Sequence, residues 1–217
     1  MNHWRGGGIC ACVTVLAAAA SARAIVIGTL DTFQDLTTQS WMGALPQNIA
    51  SGGPAGAGDA FLEATSTGGA GPGSRLAVNN LDPRWNGDYL AAGVTSLELD
   101  MVNFGTTPLE MRAVFFSTSG ARYTSTTALI LPTDGLWHHL AFSLDEASLT
   151  RVLGSDTYAQ CMSSVARLMF RHDSGSPSSG GTPIATTAGF DNILAVPAPG
   201  GALLMLVAGL GAARRRR

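Results

Sequence analysis

The sequence contains no lysine, only three cysteines in 217 residues, and few aromatic side chains (7%). Between residues 25 and 195, seven arginines face fifteen aspartates and glutamates, which gives this region a formal charge of −8. Because affinity for nucleic acid depends largely on basic contacts with phosphate, we expect no nucleic-acid partner. Cys10 and Cys12 precede this region, so Cys161 has no partner for a disulfide within it, and we expect a buried, apolar thiol.

The first 24 residues have the layout of a secretory signal peptide. Arg5 lies in a short basic region, an apolar stretch runs from Ile9 to Ala20, and Ala22-Arg23-Ala24 supplies small residues around a cleavage point. The apolar stretch is shorter than the roughly 20 residues that a membrane-spanning helix needs. We therefore expect signal peptidase to cut after Ala24, with a cut after Ala22 as the alternative, and residues 25–195 to form one exported domain.

The chain ends in an apolar run and four arginines, VPAPGGALLMLVAGLGAARRRR. A helix over residues 202–213 would be about 18 Å long, against about 30 Å for the core of a bilayer. We expect a marginal membrane helix with its four arginines on the cytoplasmic side, held by anionic lipid headgroups. A C-terminal helix docked on the domain is the alternative. The arginines are Arg214, Arg215, Arg216 and Arg217.

This end of the chain resembles the PEP-CTERM sorting signal, which joins a Pro-x-Pro motif, a short membrane helix and an arginine cluster. The motif here is Val196, Pro197, Ala198 and Pro199, where the family usually has Val-Pro-Glu-Pro. The resemblance implies that an exosortase, a membrane transpeptidase, recognises residues 196–217 and removes them during export. It also implies an envelope or extracellular-matrix protein of a Gram-negative bacterium, of the kind often associated with exopolysaccharide and biofilm.

Short alternating runs dominate residues 25–195 and predict β-strands. They are TSLELDMVNF, LEMRAVFFST, TSTTALILP, WHHLAFSLD, VARLMFRHDS and AGFDNILAV. Two stretches rich in Gly, Ser and Pro, NIASGGPAGAGDA and RHDSGSPSSGGTPIATTAG, indicate loops or hairpin tips. Seven to nine short strands separated by turn signals predict an all-β fold, an antiparallel β-sandwich of the jelly-roll type.

Three segments resemble those of known secreted sandwiches. DTFQDLTTQSW is similar to the first strand of jelly-roll carbohydrate-binding and galactose-binding-like modules, and FDNILAV to their closing strand. DGLWHHLAFSLD resembles a Trp-His-His strand of laminin-G and concanavalin-like sandwiches. In such jelly rolls the first and last strands lie close together and often bind a structural Ca²⁺. The resemblance therefore implies Asp191 and then Asp31 as calcium ligands, with simple hydrogen bonding at the strand end as the alternative.

A glycan-binding surface needs exposed aromatic rings with polar neighbours. The available rings are Trp41, Trp85, Tyr89 and Tyr123. The segment RWNGDY places two of them in a Gly-containing turn, so Trp85, Asn86, Asp88 and Tyr89 form a candidate glycan site on a loop. In the alternative interpretation, Trp85 and Trp137 are needed for the core of the domain.

Two carboxylates raise the question of enzymatic activity. Glu98 and Asp100 are two residues apart on a predicted strand and therefore share a face. A glycosidase needs two carboxylates about 5 to 9 Å apart across a cleft, but a solvated outer face gives the same alternation. We expect no enzyme and no required cofactor, and instead a structural or adhesive role that includes binding to extracellular polysaccharide. A polysaccharide hydrolase or lyase on the same scaffold is the alternative.

Overall fold

The computed structural model describes residues 24–69, 71 and 73–197. The predicted signal peptide, residues 1–24, lies outside this part of the chain except for Ala24, and the predicted membrane helix at residues 202–213 lies outside it entirely. Within it, no helix is long and apolar enough to cross a membrane. Thirteen strands of the described residues form two antiparallel sheets, which confirms the predicted β-sandwich.

Sheet A has six strands, in the order β10-β6-β13-β4-β3, with β1 paired to β13. They are β1 (Leu30–Asp31), β3 (Gln47–Ile49), β4 (Phe61–Thr67), β6 (Val94–Asn103), β10 (His138–Ser143) and β13 (Ala185–Pro197). Leu30 pairs with Leu194 and Asp31 with Ile193, so the first and last strands are neighbours, as the resemblance to jelly-roll modules predicted.

Sheet B has seven strands, in the order β11-β8-β7-β12-β5-β2, with β9 paired to β7. They are β2 (Trp41–Gly43), β5 (Ala77–Asn80), β7 (Leu109–Ser117), β8 (Arg122–Ser125), β9 (Leu129–Leu131), β11 (Leu149–Leu153) and β12 (Val165–His172). Two short α-helices, α1 (Tyr89–Ala92) and α2 (Tyr158–Met162), and two 3-10 turns, Pro83–Trp85 and Glu146–Ser148, lie in the connections.

Period-two alternation explains which residues form the core between the sheets. In β6, Leu97, Leu99 and Met101 are fully buried in the core, whereas Glu98 and Asp100 between them are partly exposed. Across the interior, Phe142 of sheet A lies 5.6 Å from Phe170 of sheet B between ring centroids. Each sheet therefore has one face in the core and one outer face.

The sequence prediction was wrong in one region of sheet B. TSTTALILP was predicted as one strand, but β8 ends at Ser125 and β9 begins at Leu129. β8 pairs with β7 near Val114 to Phe116, and β9 pairs with the opposite end of the same strand, near Leu109 to Met111. The strand is interrupted between β8 and β9 because the two segments pair with opposite ends of one long strand, β7.

Candidate functional site

The predicted glycan cluster at RWNGDY is wrong for its two aromatic rings. Trp85 and Tyr89 are both 0% exposed. The Tyr89 hydroxyl donates a hydrogen bond of 2.8 Å to the Trp85 carbonyl, and its ring packs edge-on against Phe115. A sugar can stack only on an accessible ring face, so neither ring can hold a glycan. The alternative, that Trp85 belongs to the core, is confirmed.

The polar members of that cluster organise the local backbone. The Asn86 side chain donates to the Leu81 carbonyl at 2.8 Å. Asp88 is the N-cap of α1 and accepts a hydrogen bond of 2.8 Å from the Ala91 N–H. Caps of this kind satisfy backbone donors that a short helix leaves unpaired. Trp41 and Tyr123, the other rings considered for sugar stacking, are also buried.

Calcium binding by Asp31 stays a prediction, and its carboxylate already contacts three protein groups. The indole N–H groups of Trp41 and Trp85 each donate to Oδ2 at 2.8 Å, and the Arg84 guanidinium lies 2.7 Å from Oδ1. Burial raises the pKa of Asp31, and the indoles and Arg84 partly offset this effect. Two predicted sites thus meet in one structural network, since Asp31 and Trp85 are partners.

Asp191 is in a different position, because its carboxylate is fully buried and only half satisfied. Oδ1 accepts the Asn192 N–H at 2.7 Å, while Oδ2 has no hydrogen-bond partner among the described residues. Burial, with smaller contributions from the charges of Asp59 and Asp100, raises the pKa of Asp191 to about 7. No group of three or more His, Cys, Asp or Glu side chains in the described residues could hold a metal ion. A cation here would therefore need carbonyl or water oxygens as additional ligands.

A polar row crosses the outer face of sheet A next to Asp191. His139 of β10 lies opposite Asp100 of β6, which lies opposite Asp191 of β13. His139 Nδ1 is 3.0 Å from Asp100 Oδ1, and its Nε2 is 3.5 Å from Glu98 Oε2. Asn192 donates to the other Asp100 oxygen at 2.8 Å. Both predicted outward carboxylates therefore face solvent and are bridged by one histidine.

Three aromatic residues form a platform beside this row, and we call Phe61, Phe104 and Trp137 the aromatic platform. The Phe61 ring lies 5.2 Å from Trp137, edge-on, and 6.2 Å from Phe104, between ring centroids. Phe61 is buried, Trp137 is half-buried and Phe104 is 48% exposed. The platform thus presents two accessible rings to solvent and rests on a third.

Gly189 makes room for the Trp137 ring. A Cβ at this position would lie 2.8 Å from Trp137 Cη2 and 2.7 Å from Val102 Cγ1, so only glycine lets the indole lie over the sheet. The Trp137 Nε1–H also donates to the Gly52 carbonyl at 3.0 Å. The indole is therefore fixed from below and at its edge, and its orientation is set before any ligand arrives.

The aromatic platform was not among the predicted sites. Trp137 was considered only for the core, although Trp137 and His139 share one face of a strand by simple alternation. Because His139 pairs with Asp100, whose neighbours Leu99 and Met101 face the core, the register places Trp137 on the outer face. Phe104 directly follows β6 and carried no pattern of its own.

In the enzyme alternative, Glu98 and Asp100 of β6 would be the two carboxylates. Both side chains contact an exposed histidine on the outer face of a sheet. A cleft of about 250 Å³ opens elsewhere, at the edge between β8, β9 and β10, and includes Ser125 and Ser143 in its lining. Its lining contains no carboxylate and no histidine.

The predicted sorting motif lies only partly in the described residues. Val196 pairs with Ser96 and Pro197 with Val94 at the end of β13. Ala198, Pro199 and the arginines at 214–217 lie outside the described residues. The last strand of the sandwich therefore continues into the first two residues of the predicted sorting signal.

No protein-family model and no curated protein matches the sequence. Solved structures match its fold. The Family 11 carbohydrate-binding module of the cellulase Lic26A-Cel5E of Clostridium thermocellum has a TM-score of 0.52 and 14% identity, over 81% of this chain and 97% of the module. A Family 11 module from Clostridium thermocellum in complex with a β-1,3-1,4-mixed-linked tetrasaccharide gives 0.50 and 14%, over 80% and 98%.

An exo-β-agarase also matches, with a TM-score of 0.54 and 16% identity over 80% of this chain. The chain spans only about a quarter of that enzyme, 25% of its length. The two Family 11 modules, in contrast, are matched over nearly their whole length. At these identities the similarity establishes the sandwich fold and leaves the binding site to be argued from the residues.

Proposed function

We propose that the protein is an exported, non-catalytic adhesion module that binds neutral polysaccharide of the cell envelope or extracellular matrix. The observation that carries this proposal is the aromatic platform beside Glu98, Asp100 and His139 on the outer face of sheet A. The apolar face of a sugar ring packs on Trp137 and Phe104. The neighbouring carboxylates accept hydrogen bonds from sugar hydroxyl groups.

The fixed position of the indole favours binding over mere surface exposure. Gly189 and the Gly52 carbonyl hold Trp137 in one orientation, so little side-chain entropy is lost when a ligand stacks on it. The carboxylates of Asp100 and Glu98 are likewise oriented by His139 and Asn192. A preorganised flat surface of this kind suits a polymer chain better than a small molecule.

The experiment is a pull-down and titration on mixed-linked β-1,3-1,4-glucan, cellulose and agarose, with wild-type protein and Phe104→Ala. We expect retention on at least one of them and about tenfold weaker binding for the variant, because an exposed anchor ring is lost. Ile130→Ala is the matched control, since Ile130 is 60% exposed on a strand of the other sheet. Equal loss in both variants, or no retention on any neutral glycan, would contradict the proposal. Release of reducing sugar would instead revive the enzyme alternative.

The proposal for sorting rests on the two ends of the sequence. Signal peptidase removes residues 1–24, the short helix with its arginine cluster tethers the chain to the inner membrane, and an exosortase releases it near Pro197–Pro199. Its support is the sequence layout alone. Intact-mass analysis of the exported protein tests it, because a chain that retains residues 200–217 would contradict it.

We propose a calcium ligand at one residue only, Asp191. The unpartnered, buried Oδ2 of Asp191 fits a cation ligand, since a hard divalent ion binds carboxylate oxygen and offsets its desolvation. Such an ion would fix the backbone at Asp191, where a register shift begins in the pairing of β13 with β6. The proposal is restricted to Asp191, because Asp31 Oδ2 accepts two indole N–H groups and Oδ1, although it has no hydrogen-bond partner in the described residues, lies 2.7 Å from the positive charge of Arg84.

A further inference from the structure

The outer face of sheet B carries a pair of arginines with no acidic partner, and it is separate from the aromatic platform. Arg122 of β8, Phe116 of β7 and Arg167 of β12 lie directly opposite one another across three neighbouring strands. The Arg167 guanidinium carbon is 3.5 Å from the Phe116 ring centroid, and that of Arg122 is 4.7 Å away. We call these three residues the arginine row.

The charges in this row are not neutralised by the described part of the chain. Arg84 pairs with Asp31, and Arg112 and Arg171 pair with Asp173. Neither Arg122 nor Arg167 takes part in any ion pair of the described residues. Arg122 donates once, to the Ser179 carbonyl at 2.8 Å, and its Nε has no partner.

Arg167 makes no hydrogen bond to the described residues, although it is half-buried. Burial, and then the nearby charge of Arg122, lowers the pKa of Arg167, yet an arginine stays charged in proteins. Two cations held beside one ring repel each other, and such an arrangement weakens the folded state without an anion. A chain with seven arginines and fifteen acids between residues 25 and 195 nevertheless leaves this pair unpaired.

We propose that the arginine row is a second glycan-binding site, specific for acidic polysaccharide through its carboxylate or sulfate groups. Guanidinium groups bind such anions through two parallel charge-assisted hydrogen bonds. In the next row along the sheet, Met169 lies opposite the fully buried Val114. Met169 is half-buried and offers a small apolar surface to the sugar ring that carries the anion. The formal charge of −8 over residues 25–195 repels any polyanion at long range, so an acidic polymer is held here only by short-range contacts with the two guanidinium groups.

The experiment compares polymers that differ only in charge. Wild-type exported protein is titrated with polygalacturonate and its methyl ester, and with dextran sulfate and dextran. We expect binding to the two charged polymers that weakens as salt is added. Arg167→Gln should reduce this affinity at least about tenfold. Arg151→Gln is the matched control, because this substitution removes the same charge from an exposed position on the edge strand β11.

Stability separates loss of a site from loss of the fold. Because Arg167→Gln removes a repulsive charge as well as a cation–π contact, we expect its melting temperature to stay within a few degrees of wild type. Unchanged binding in Arg167→Gln, or an equal loss in Arg151→Gln, would overturn the proposal. Equal binding of duplex DNA through the same arginine would overturn its restriction to glycans. If Phe104→Ala binds neutral glycans as tightly as wild type, the proposed function fails. The proposal for the arginine row is not affected by that result, because the two sites lie on different sheets.

Discussion

Replacing Asp191 by asparagine should stabilise the domain at alkaline pH in the absence of divalent ions. The carboxylate is 0% exposed, its Oδ2 has no partner in the described residues, and its pKa is raised to about 7 from an ordinary 3.8. The protonated form is therefore favoured by folding. Its contribution to stability is complete below about pH 4 and is lost as the pH rises through about 7.

The magnitude follows from that difference in pKa. At about 1.4 kcal/mol for each tenfold change in the ionisation constant, the charged carboxylate costs on the order of 4 kcal/mol at pH 8. Asparagine keeps the shape and the oxygen that accepts the Asn192 N–H, but it carries no charge. For a domain of this size we therefore expect a rise in melting temperature on the order of 10 °C in EGTA at pH 8.

Thermal melts of wild type and Asp191→Asn at pH 5 and pH 8 form the assay, each in EGTA and in calcium. At pH 5 the difference should fall to on the order of 1.5 kcal/mol, because the folded carboxyl is still protonated there while the unfolded one, with its ordinary pKa of 3.8, is already largely ionised. Calcium at pH 8 should stabilise wild type and leave Asp191→Asn unchanged, if the ion binds there. A variant that is less stable than wild type at pH 8 in EGTA would refute the reasoning about the buried charge. A calcium response retained in Asp191→Asn would refute the calcium proposal alone.

Three further outcomes follow from the packing. Asp31→Ala should destabilise the domain by about 3 to 5 kcal/mol in urea unfolding, because two indole N–H groups and Arg84 lose their acceptor. Asp35→Ala is the control, because Asp35 is exposed. A comparable loss of stability in the control would count against a specific network at Asp31. Gly189→Ala should lower the free energy of unfolding by about 1 to 3 kcal/mol by displacing Trp137, and it should weaken the binding of neutral glycans. Unaltered indole fluorescence and unaltered binding would show that the contact between Gly189 and Trp137 is dispensable. Cys161 should react with a thiol reagent only after unfolding, since burial raises its pKa to about 11, so rapid labelling of the folded protein would contradict its burial.

The fold could be predicted because alternation is a local property. The spacing of Leu97, Leu99 and Met101 within one strand predicts that they share a face, and the structure places that face in the core. The same rule put Glu98 and Asp100 together on the outer face. Pairing between strands is not local, and the division of residues 122–131 into β8 and β9 depended on where each segment meets β7.

The binding residues could not be predicted in the same way. RWNGDY looked like an exposed cluster because its residues are adjacent in sequence, but Trp85 contacts Asp31, which is 54 residues earlier. Only that long-range partner shows that the indole points inward. Phe104 and Trp137 meet through Phe61, and Arg122 meets Arg167 through Phe116, so both surfaces arise from pairing of distant strands.

Binding of neutral polysaccharide, as proposed, requires that a glycan touches the Trp137 ring, and the indole N–H resonances test this directly. Trp41 and Trp85 are buried and donate to Asp31, whereas Trp137 is half-buried on the outer face of sheet A. On addition of an oligosaccharide cut from the neutral polysaccharide that the protein retains, the Trp137 signal should shift while those of Trp41 and Trp85 stay in place. Binding that leaves the Trp137 signal unmoved would contradict the account.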